Sequence, residues 1–319
     1  MPSRRSFVKQ TGLASMAFLT SPTVDFLKSQ GVSNVGIQLF SIPKMLSANP
    51  VAAIGMLQQM GYKELELYGP YTFSAESAKS GWKQVTGMLG FSGSGYFEKS
   101  SSEFLKLIKD SGMTTPSMHT DLDTLENDMP ALAKAAHEMG HKYVVLPAIP
   151  DARRKTLDDY KKMADSFNKI GAAAKKEGIR FGYHNHGYGI KPLADGTVPL
   201  EVMLNATDPD TVFLEMDLFW TAAGGADPVA LLNKYSKRYK MLHIKDMSKK
   251  ATFSGDGGDA SQWFALFPLM CSCGDGVLDL KNIIATSQKI GVEHYFIEQD
   301  MVANPETALK KSIDYIKTV

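Results

Sequence analysis

The chain has 319 residues, of which 44% are hydrophobic and 22% charged, and its formal net charge at pH 7 is +1. This length fits one large α/β barrel or two ordinary domains, and the composition is typical of a soluble globular protein. A charge so close to zero gives no reason to expect nucleic acid or an anionic membrane surface as a partner. The only two cysteines, Cys271 and Cys273, are too close for a useful disulfide framework, so we expect free thiols.

The N-terminus has the features of an export signal. Residues 3–9, SRRSFVK, precede a weakly apolar run at residues 11–19 that is far too short to span a membrane permanently. Paired arginines followed by Phe7 are typical of a twin-arginine signal, which is recognised by a translocase that carries folded proteins. We therefore predict an export signal and linker at residues 1–31, a periplasmic protein, and a folded domain at residues 32–319. An ordinary basic tail is the alternative.

Strand and helix patterns alternate eight times along the rest of the chain. Hydrophobic periodicity predicts strands at residues 35–40, 62–67, 114–119, 142–146, 179–183, 211–217, 240–245 and 294–298. It predicts helices at residues 49–60, 103–111, 127–139, 156–177, 199–205, 227–235, 279–290 and 305–316. Residues 71–102 and 247–276 are predicted loops, the first with at most a short helix around residues 80–87. The second loop suits either a lid over a pocket or a dimer contact, which leaves a homo-oligomer open.

This alternation favours a parallel α/β fold, and eight units favour a single (β/α)8 TIM barrel with outer helices. No G-x-G-x-x-G follows the first strand, and the chain contains no G-x-x-x-x-G-K-[ST], so the two common nucleotide-binding motifs are absent. No change in composition marks a second domain.

Polar side chains end nearly every predicted strand. His184 and His186 follow the fifth strand, and both imidazoles project to the same side if the extended conformation continues. The chemistry of such barrels lies at the C-terminal strand ends, where buried polar groups are costly unless they pair or bind something. The other strand-end groups are Gln38, Glu66, His119, Asp217, His243, Lys245 and Glu298.

Histidine, aspartate, histidine and glutamate from four successive strands form a nitrogen and oxygen set suited to Mn²⁺, Zn²⁺ or Co²⁺. One carboxylate ligand can double as a base, because a metal-polarised carbonyl acidifies the neighbouring C–H. For each residue alone, a structural hydrogen bond is the alternative. Four in the right places favour a metal site.

Nine motifs carry a resemblance to a known family over everything from residue 35 to the C-terminus. They are GIQLFS, GYKELELYG, MHTD, KYVVLP, FGYHNH, LEMDLFW, HIKD, GDGVLDL and YFIEQD. This ordered set resembles the xylose isomerase-like TIM-barrel family of sugar (phosphate) isomerases and epimerases, and is similar especially to an exported bacterial branch with YHNH and HIKD signatures.

The resemblance implies a divalent metal, with Mn²⁺ favoured over Zn²⁺, Co²⁺ or Mg²⁺. By position its ligands are His184, Asp217, His243 and Glu298, with His184 standing where the family usually has a glutamate. The family's epimerases use two metal-bound glutamates, one on each face of the substrate, and only Glu298 remains here. A further glutamate that commonly follows the histidines corresponds to Gly189.

The resemblance implies a metal-dependent sugar isomerase or epimerase that removes a proton next to the carbonyl of a keto sugar. We predict Glu298 as the base, His186 and His119 as acids, and Lys245 as a group that stabilises an enolate oxygen or pairs at the barrel rim.

Three more expectations concern the substrate. Glu66 and His186 are predicted to contact sugar hydroxyls, and Trp220 to stack on a sugar face or to lie in the core. The substrate is a small sugar or keto-glycoside, with no nucleic acid and no stable membrane insertion. The departures from the two-glutamate pattern favour, as the alternative, a lyase that cleaves 3-keto-glucosides by β-elimination; a non-catalytic sugar-binding barrel is a third hypothesis.

Overall fold

The structure is a computed structural model and describes residues 31–319. The strands are β1 Val35–Gln38, β2 Glu64–Tyr68, β3 Thr114–His119, β4 Tyr143–Leu146, β5 Arg180–His184, β6 Val212–Asp217, β7 Tyr239–Ile244, β8 Asp246–Met247, β9 Met270–Cys271 and β10 His294–Ile297. All but β8 and β9 are parallel and close into one barrel in the order β1, β10, β7, β6, β5, β4, β3, β2. The prediction of a single TIM barrel is confirmed. The predicted export signal lies outside the described residues, apart from position 31.

The helices pack around this barrel. They are α1 Pro43–Ala48, α2 Pro50–Met60, α3 Glu76–Leu89, α4 Ser101–Asp110, α5 Leu122–Asn127, α6 Met129–Met139, α7 Leu157–Lys176, α8 Pro199–Asn205, α9 Leu218–Ala223, α10 Pro228–Lys234, α11 Ala260–Leu266, α12 Leu280–Ile290 and α13 Pro305–Ile316.

Local sequence explains where these helices begin and end. The side chain of Asn49 accepts from the backbone of Ala52 and caps α2, which ends at Gly61 in the left-handed region (φ 96°). Thr156 and Asp159 form a capping box at the start of α7. Each βα unit is therefore delimited by its own sequence, which is why the elements could be predicted from local pattern.

The barrel interior is layered. Tyr143, Val145, Met241 and Phe296 form an apolar cluster inside the barrel. Residues two positions further along β7 and β10 also point inward, because side chains alternate along a strand. There the interior becomes polar at the C-terminal ends of the strands, and this change places the candidate site.

Both predicted loops contain regular structure, so those predictions were wrong. Residues 71–102 include the 14-residue helix α3, none of whose residues is fully buried. Its apolar residues are few and line the barrel mouth, where Trp82 also packs against the core, so the low overall hydrophobicity of the segment favoured a loop. Residues 247–276 contain most of the antiparallel β8–β9 ribbon and helix α11.

Two smaller findings concern membranes and thiols. Within residues 31–319, no helix is both long and apolar enough to cross a bilayer. Cys271 and Cys273 are free thiols, as predicted, although Cys271 lies in a short strand and Cys273 is buried.

Candidate active site and metal centre

The C-terminal ends of the strands bring a set of titratable side chains into one buried cluster. Each of them is at most 6% exposed. The set comprises Glu66, His119, His184, Glu215, Asp217, His243, Lys245 and Glu298. We call it the polar floor.

Glu215 lies at the centre of one group of possible metal ligands. Its Oε2 is 2.8 Å from Nε2 of His119 and 2.9 Å from Nδ1 of His184. Nε2 of His243 is 3.2 Å away. One ligand atom from each of these four residues falls within 4.8 Å of the others. The parallel register explains part of this, since His184 is paired with Glu215 across β5 and β6.

A second group overlaps the first at His243. Ligand atoms of Asp217, His243 and Glu298 also lie within 4.8 Å of one another. Nδ1 of His243 is 2.7 Å from Oε2 of Glu298, and Nε2 of His184 is 3.8 Å from Oδ2 of Asp217. The structure thus brings all four predicted metal ligands together.

Lys245 supplies the fixed positive charge of the polar floor. Its Nζ is 2.7 Å from Oε2 of Glu298 and 2.7 Å from Oδ2 of Asp300. It is also 3.1 Å from Oδ2 of Asp217. One ammonium therefore bridges three buried carboxylates, so the alternative role predicted for Lys245, an ion pair at the barrel end, is present.

The donor set fits a divalent cation. Oδ1 of Asp217 accepts from the backbone of Trp220 and caps α9, whereas its buried Oδ2 makes no hydrogen bond. Oε1 of Glu215 is likewise buried without a hydrogen bond. Burial, together with the nearby His243, lowers the pKa of His184, which keeps that imidazole available as a ligand. The Lys245 ammonium is already 3.1 Å from Oδ2 of Asp217, so Oε1 of Glu215 is the oxygen of the two that has no partner within residues 31–319. An unpaired buried carboxylate oxygen is costly, and a cation would satisfy it.

A cavity of about 580 Å³ opens above the polar floor. The histidines, lysine and carboxylates in its lining are His119, Asp121, His184, His186, Lys245, Glu298 and Asp300. Glu66, Glu215, Asp217 and His243 lie beneath these and do not line the cavity. A molecule in the cavity would therefore meet histidines at or just after the ends of β3 and β5 on one side, and Lys245, Glu298 and Asp300, which follow β7 and β10, on another.

His186 is fixed in one tautomer. Its Nδ1 is 2.5 Å from the carbonyl oxygen of Pro147. Because a carbonyl can only accept, Nδ1 carries the proton and Nε2 has the free lone pair. Burial, reinforced by Lys245, lowers the pKa of His186 to about 3, so the ring is neutral near pH 7.

His119 has the opposite electrostatic environment. Burial disfavours its charge, but Glu66 and Glu215 outweigh burial and raise the pKa of His119 to about 9. Nε2 of His119 is 3.1 Å from Glu66 Oε2. A histidine with a raised pKa and one with a lowered pKa in the same cavity are suited to different proton-transfer roles.

The two carboxylates of β10 and its following loop also differ. Burial opposes ionisation of Glu298, yet Lys245 and His243 hold the pKa of that carboxyl well below its usual range. Burial raises the pKa of Asp300 to about 7, despite Lys245. Of these two carboxylates, Glu298 is therefore the one that is held ionised.

Glu66 is fully buried and engaged by protein groups. Its carboxylate accepts from Gln38 Nε2 at 2.8 Å and Ser117 Oγ at 2.5 Å. Its Oε2 is also 2.5 Å from Nε2 of His243. The predicted contact of Glu66 with sugar hydroxyls stays a prediction, and its position favours orienting His119 and His243.

Trp220 lines the cavity while its ring stays buried. The indole is only 1% exposed and stacks on Phe253 with ring centroids 5.7 Å apart. Trp220 therefore lies in the core and also forms part of the cavity wall, so the two predicted environments are not exclusive.

Steric constraints explain why position 189 is a glycine. Gly189 has φ +75°, and a Cβ there would lie 2.6 Å from the hydroxyl oxygen of Tyr160. A glutamate at this position would therefore clash with Tyr160 and strain the backbone.

Sequence reasoning missed Glu215 and Asp300. Glu215 precedes Asp217 by two residues on β6, so strand alternation places both on the inner face, and that signal could have found it. Asp300 lies two residues beyond Glu298 in a loop, where alternation no longer applies, and only the contact with Lys245 reveals it.

The fold and these strand-end groups define a TIM-barrel protein with a buried acid–base cluster that could bind a metal. The xylose isomerase-like TIM barrel family model matches residues 75–319, and the chain belongs to this family. Inosose dehydratase 2 from Bacillus cereus is 29% identical over 194 residues, which cover 58% of this chain and 64% of that protein. The chain thus aligns with less than two thirds of that relative's length.

Two solved structures share the fold. A sugar phosphate isomerase/epimerase from Parabacteroides distasonis has a TM-score of 0.70 at 24% identity, covering 94% of this chain and 99% of its own. A 3-keto-D-glucoside 4-epimerase from E. coli has a TM-score of 0.58 at 15% identity, covering 90% of this chain and 100% of its own. At these identities the likeness shows the fold alone.

Proposed function

We propose that this protein is a metal-assisted lyase that acts on a keto sugar, its glycoside or a keto cyclitol. It removes a proton next to the carbonyl and expels an oxygen leaving group from the next carbon. The observation that carries the proposal is the unlike pair on the cavity wall, the Glu298 carboxylate and His119 held between two buried carboxylates. The relationship to an inosose dehydratase supports a reaction of this type.

Each residue has a role in this elimination. Glu298 accepts the proton from the carbon next to the carbonyl, that C–H electron pair forms the new C=C bond, and the bond to the leaving oxygen breaks. His119 gives a proton to that oxygen, so no oxidant or reductant is needed. Lys245 keeps Glu298 ionised through their 2.7 Å contact.

A divalent metal, with Mn²⁺ favoured, would be held by His184, Asp217, His243 and Glu298 and would polarise the substrate carbonyl. Glu215 and His119 form the overlapping alternative set with His184 and His243.

An isomerase or epimerase is the second candidate, and a specific observation favours it. His186 presents a free Nε2 to the same cavity that Glu298 lines, so the site has two proton acceptors on different strands. Removal by one and return by the other would epimerise a carbon next to the carbonyl without a second glutamate.

Turnover in D₂O separates the candidates. The Mn²⁺-loaded protein is incubated with an inosose, a 3-keto-β-glucoside and a free ketose, and proton NMR is recorded after the metal is removed. Loss of water or aglycone, with an enone product, supports the lyase; deuterium beside the carbonyl of an otherwise intact substrate supports the epimerase. Glu298→Gln should abolish either reaction. A protein that binds these sugars equally well with Glu298→Gln and never turns them over would be a binding barrel.

Export is a separate proposal. The paired arginines Arg4 and Arg5 support secretion of the folded protein through a twin-arginine route. Fractionation of cells that express the full chain and an Arg4→Lys/Arg5→Lys variant tests it. Periplasmic protein that is lost in the variant supports export, whereas an identical distribution of the two contradicts it.

A further inference from the structure

The cavity has two chemically different ends. Its polar groups are confined to the strand ends and the segments that follow them, whereas every side chain that α3 contributes is apolar. Helix α11 faces the same opening with large aromatic residues. The residues that enclose this outer part, which we call the apolar rim, are Trp82, Val85, Met88, Trp263, Phe264 and Met301.

The apolar rim contains an unusual share of exposed hydrophobic surface. Three of the six large hydrophobic side chains that are exposed in residues 31–319 belong to it: Met88 at 60%, Phe264 at 39% and Met301 at 49%. Scattered exposed apolar residues are ordinary, but a cluster around one opening indicates a binding surface.

Both tryptophans of the rim are held in place. Nε1 of Trp82 donates to the carbonyl of Ser92 at 2.8 Å. Nε1 of Trp263 donates to the carbonyl of Gly257 at 2.7 Å, and its ring stacks on His186 with centroids 5.3 Å apart. The apolar rim is therefore preorganised, and through Trp263 it contacts His186 of the proposed active site.

The cavity is larger than one sugar ring requires. A hexose has twelve non-hydrogen atoms; even at the roughly 30 Å³ that a whole water molecule occupies in the liquid, these would fill only about 360 Å³. The 580 Å³ cavity leaves substantial room beyond a hexose seated on the polar floor.

The chemistry of the rim indicates what fills this room. A second sugar would turn hydroxyl groups towards Val85 and Met88, which cannot hydrogen-bond, and unpaired hydroxyls are costly. A hydrocarbon group would instead bury its surface against the same residues and against the faces of Trp82 and Trp263.

We propose that the substrate is a keto-glycoside whose leaving oxygen carries an apolar aglycone, aromatic or of comparable hydrocarbon character, bound by the apolar rim. This inference rests on the proposed function, since the keto sugar occupies the polar floor while the aglycone extends between α3 and α11.

The test compares ethyl and 2-phenylethyl 3-keto-β-D-glucosides with the Mn²⁺-loaded full chain. Their leaving alcohols have similar acidity, so a difference in kcat/KM reports the apolar contact. We expect at least a tenfold preference for the 2-phenylethyl compound. In a Val85→Ser/Met88→Ser variant the preference should fall at least fivefold. Val51→Ser is the matched control, because Val51 is exposed on α2 and does not line the cavity.

A second readout does not depend on turnover. Calorimetry with the unoxidised ethyl and 2-phenylethyl β-D-glucosides and with cellobiose measures binding alone, and thermal unfolding checks that the double variant is folded. Preference for the 2-phenylethyl compound that depends on Val85 and Met88, without turnover of either keto-glucoside, would reject the proposed function and keep the apolar subsite. Equal affinities, a preference unchanged in the double variant, or tighter binding of cellobiose would overturn the inference itself. If the wild type is a dimer, the double variant is a monomer and neither shows a ligand preference, the apolar rim is an interface with a second copy of the chain. That result would also overturn the inference.

Discussion

Nζ of Lys245 lies 2.7 Å from Oε2 of Glu298, so a fixed ammonium neutralises the carboxylate that faces the cavity. The same ammonium is 3.1 Å from Oδ2 of Asp217. Two of the four proposed metal ligands therefore already have a cationic partner, and Lys245 competes with a metal for their charge.

Replacement of Lys245 by methionine should strengthen metal binding. Without the ammonium, Asp217 and Glu298 present uncompensated charge to a cation, so the Mn²⁺ affinity should rise at least about tenfold. Isothermal titration with Mn²⁺ measures this, and Lys240→Met, which removes a lysine beside Glu293 instead, is the control. An unchanged or weaker affinity in Lys245→Met would mean that these carboxylates do not bind the metal.

His184 and His186 should separate metal binding from proton transfer. His184→Asn should lower Mn²⁺ affinity by more than the roughly 10- to 100-fold that loss of an outer-shell partner costs. His186→Asn should leave metal content close to that of the wild type, because His186 belongs to neither group of possible metal ligands found within residues 31–319. Metal analysis after gel filtration checks both variants in parallel. The reverse pattern would make His186 the inner ligand.

His119 should act as the acid that protonates the leaving oxygen. His119→Gln should slow elimination from an ethyl 3-keto-glucoside by about 10²- to 10⁴-fold, and from a 4-nitrophenyl one far less, since nitrophenolate leaves without a proton.

The pH dependence of the wild type follows from the same group. An acid works only while protonated, so with the pKa of His119 raised to about 9, kcat/KM should fall as pH rises through about 9. This decrease in kcat/KM at high pH should be absent in His119→Gln. If His119→Gln instead slows elimination equally from the ethyl and the 4-nitrophenyl 3-keto-glucosides, His119 has a structural role.

His141 should make the fold less stable in acid. It is buried against Thr115, with Nδ1 2.7 Å from the carbonyl of that residue, and burial lowers its pKa from 6.5 to about 4. The unfolded chain therefore binds a proton first as pH falls, so stability is fully present above about pH 6.5 and decreases towards pH 4. At pH 5 the loss is about 2 kcal/mol.

Urea unfolding at pH 7.5 and pH 5 checks this. His141→Gln should lose less stability than the wild type over that interval, whereas His137→Gln, which changes an exposed histidine on α6, should behave as the wild type. A pH effect of the same size in His141→Gln would show that other groups cause it.

Local pattern was enough for the barrel and for most of its strand ends. Alternation, glycine stops and helix caps act within a few residues, so β5 with His184 at its end and β6 with Asp217 were visible in the chain itself. Helix α3 was largely missed because its apolar residues are few and line a cavity mouth, although their helical spacing is a local signal that could have found it.

The sequence by itself determined which side chains end the strands and, through their alternation, which of them point into the barrel. Only the tertiary structure decided how they pair. Glu66 and His243 are 177 positions apart and meet at 2.5 Å across the barrel, and their depth below the cavity separates them from His119 and Glu298. Such contacts form only when the barrel closes, and the burial that sets the charge of each group depends on residues from distant parts of the chain. The sequence of a single strand therefore determines neither of them.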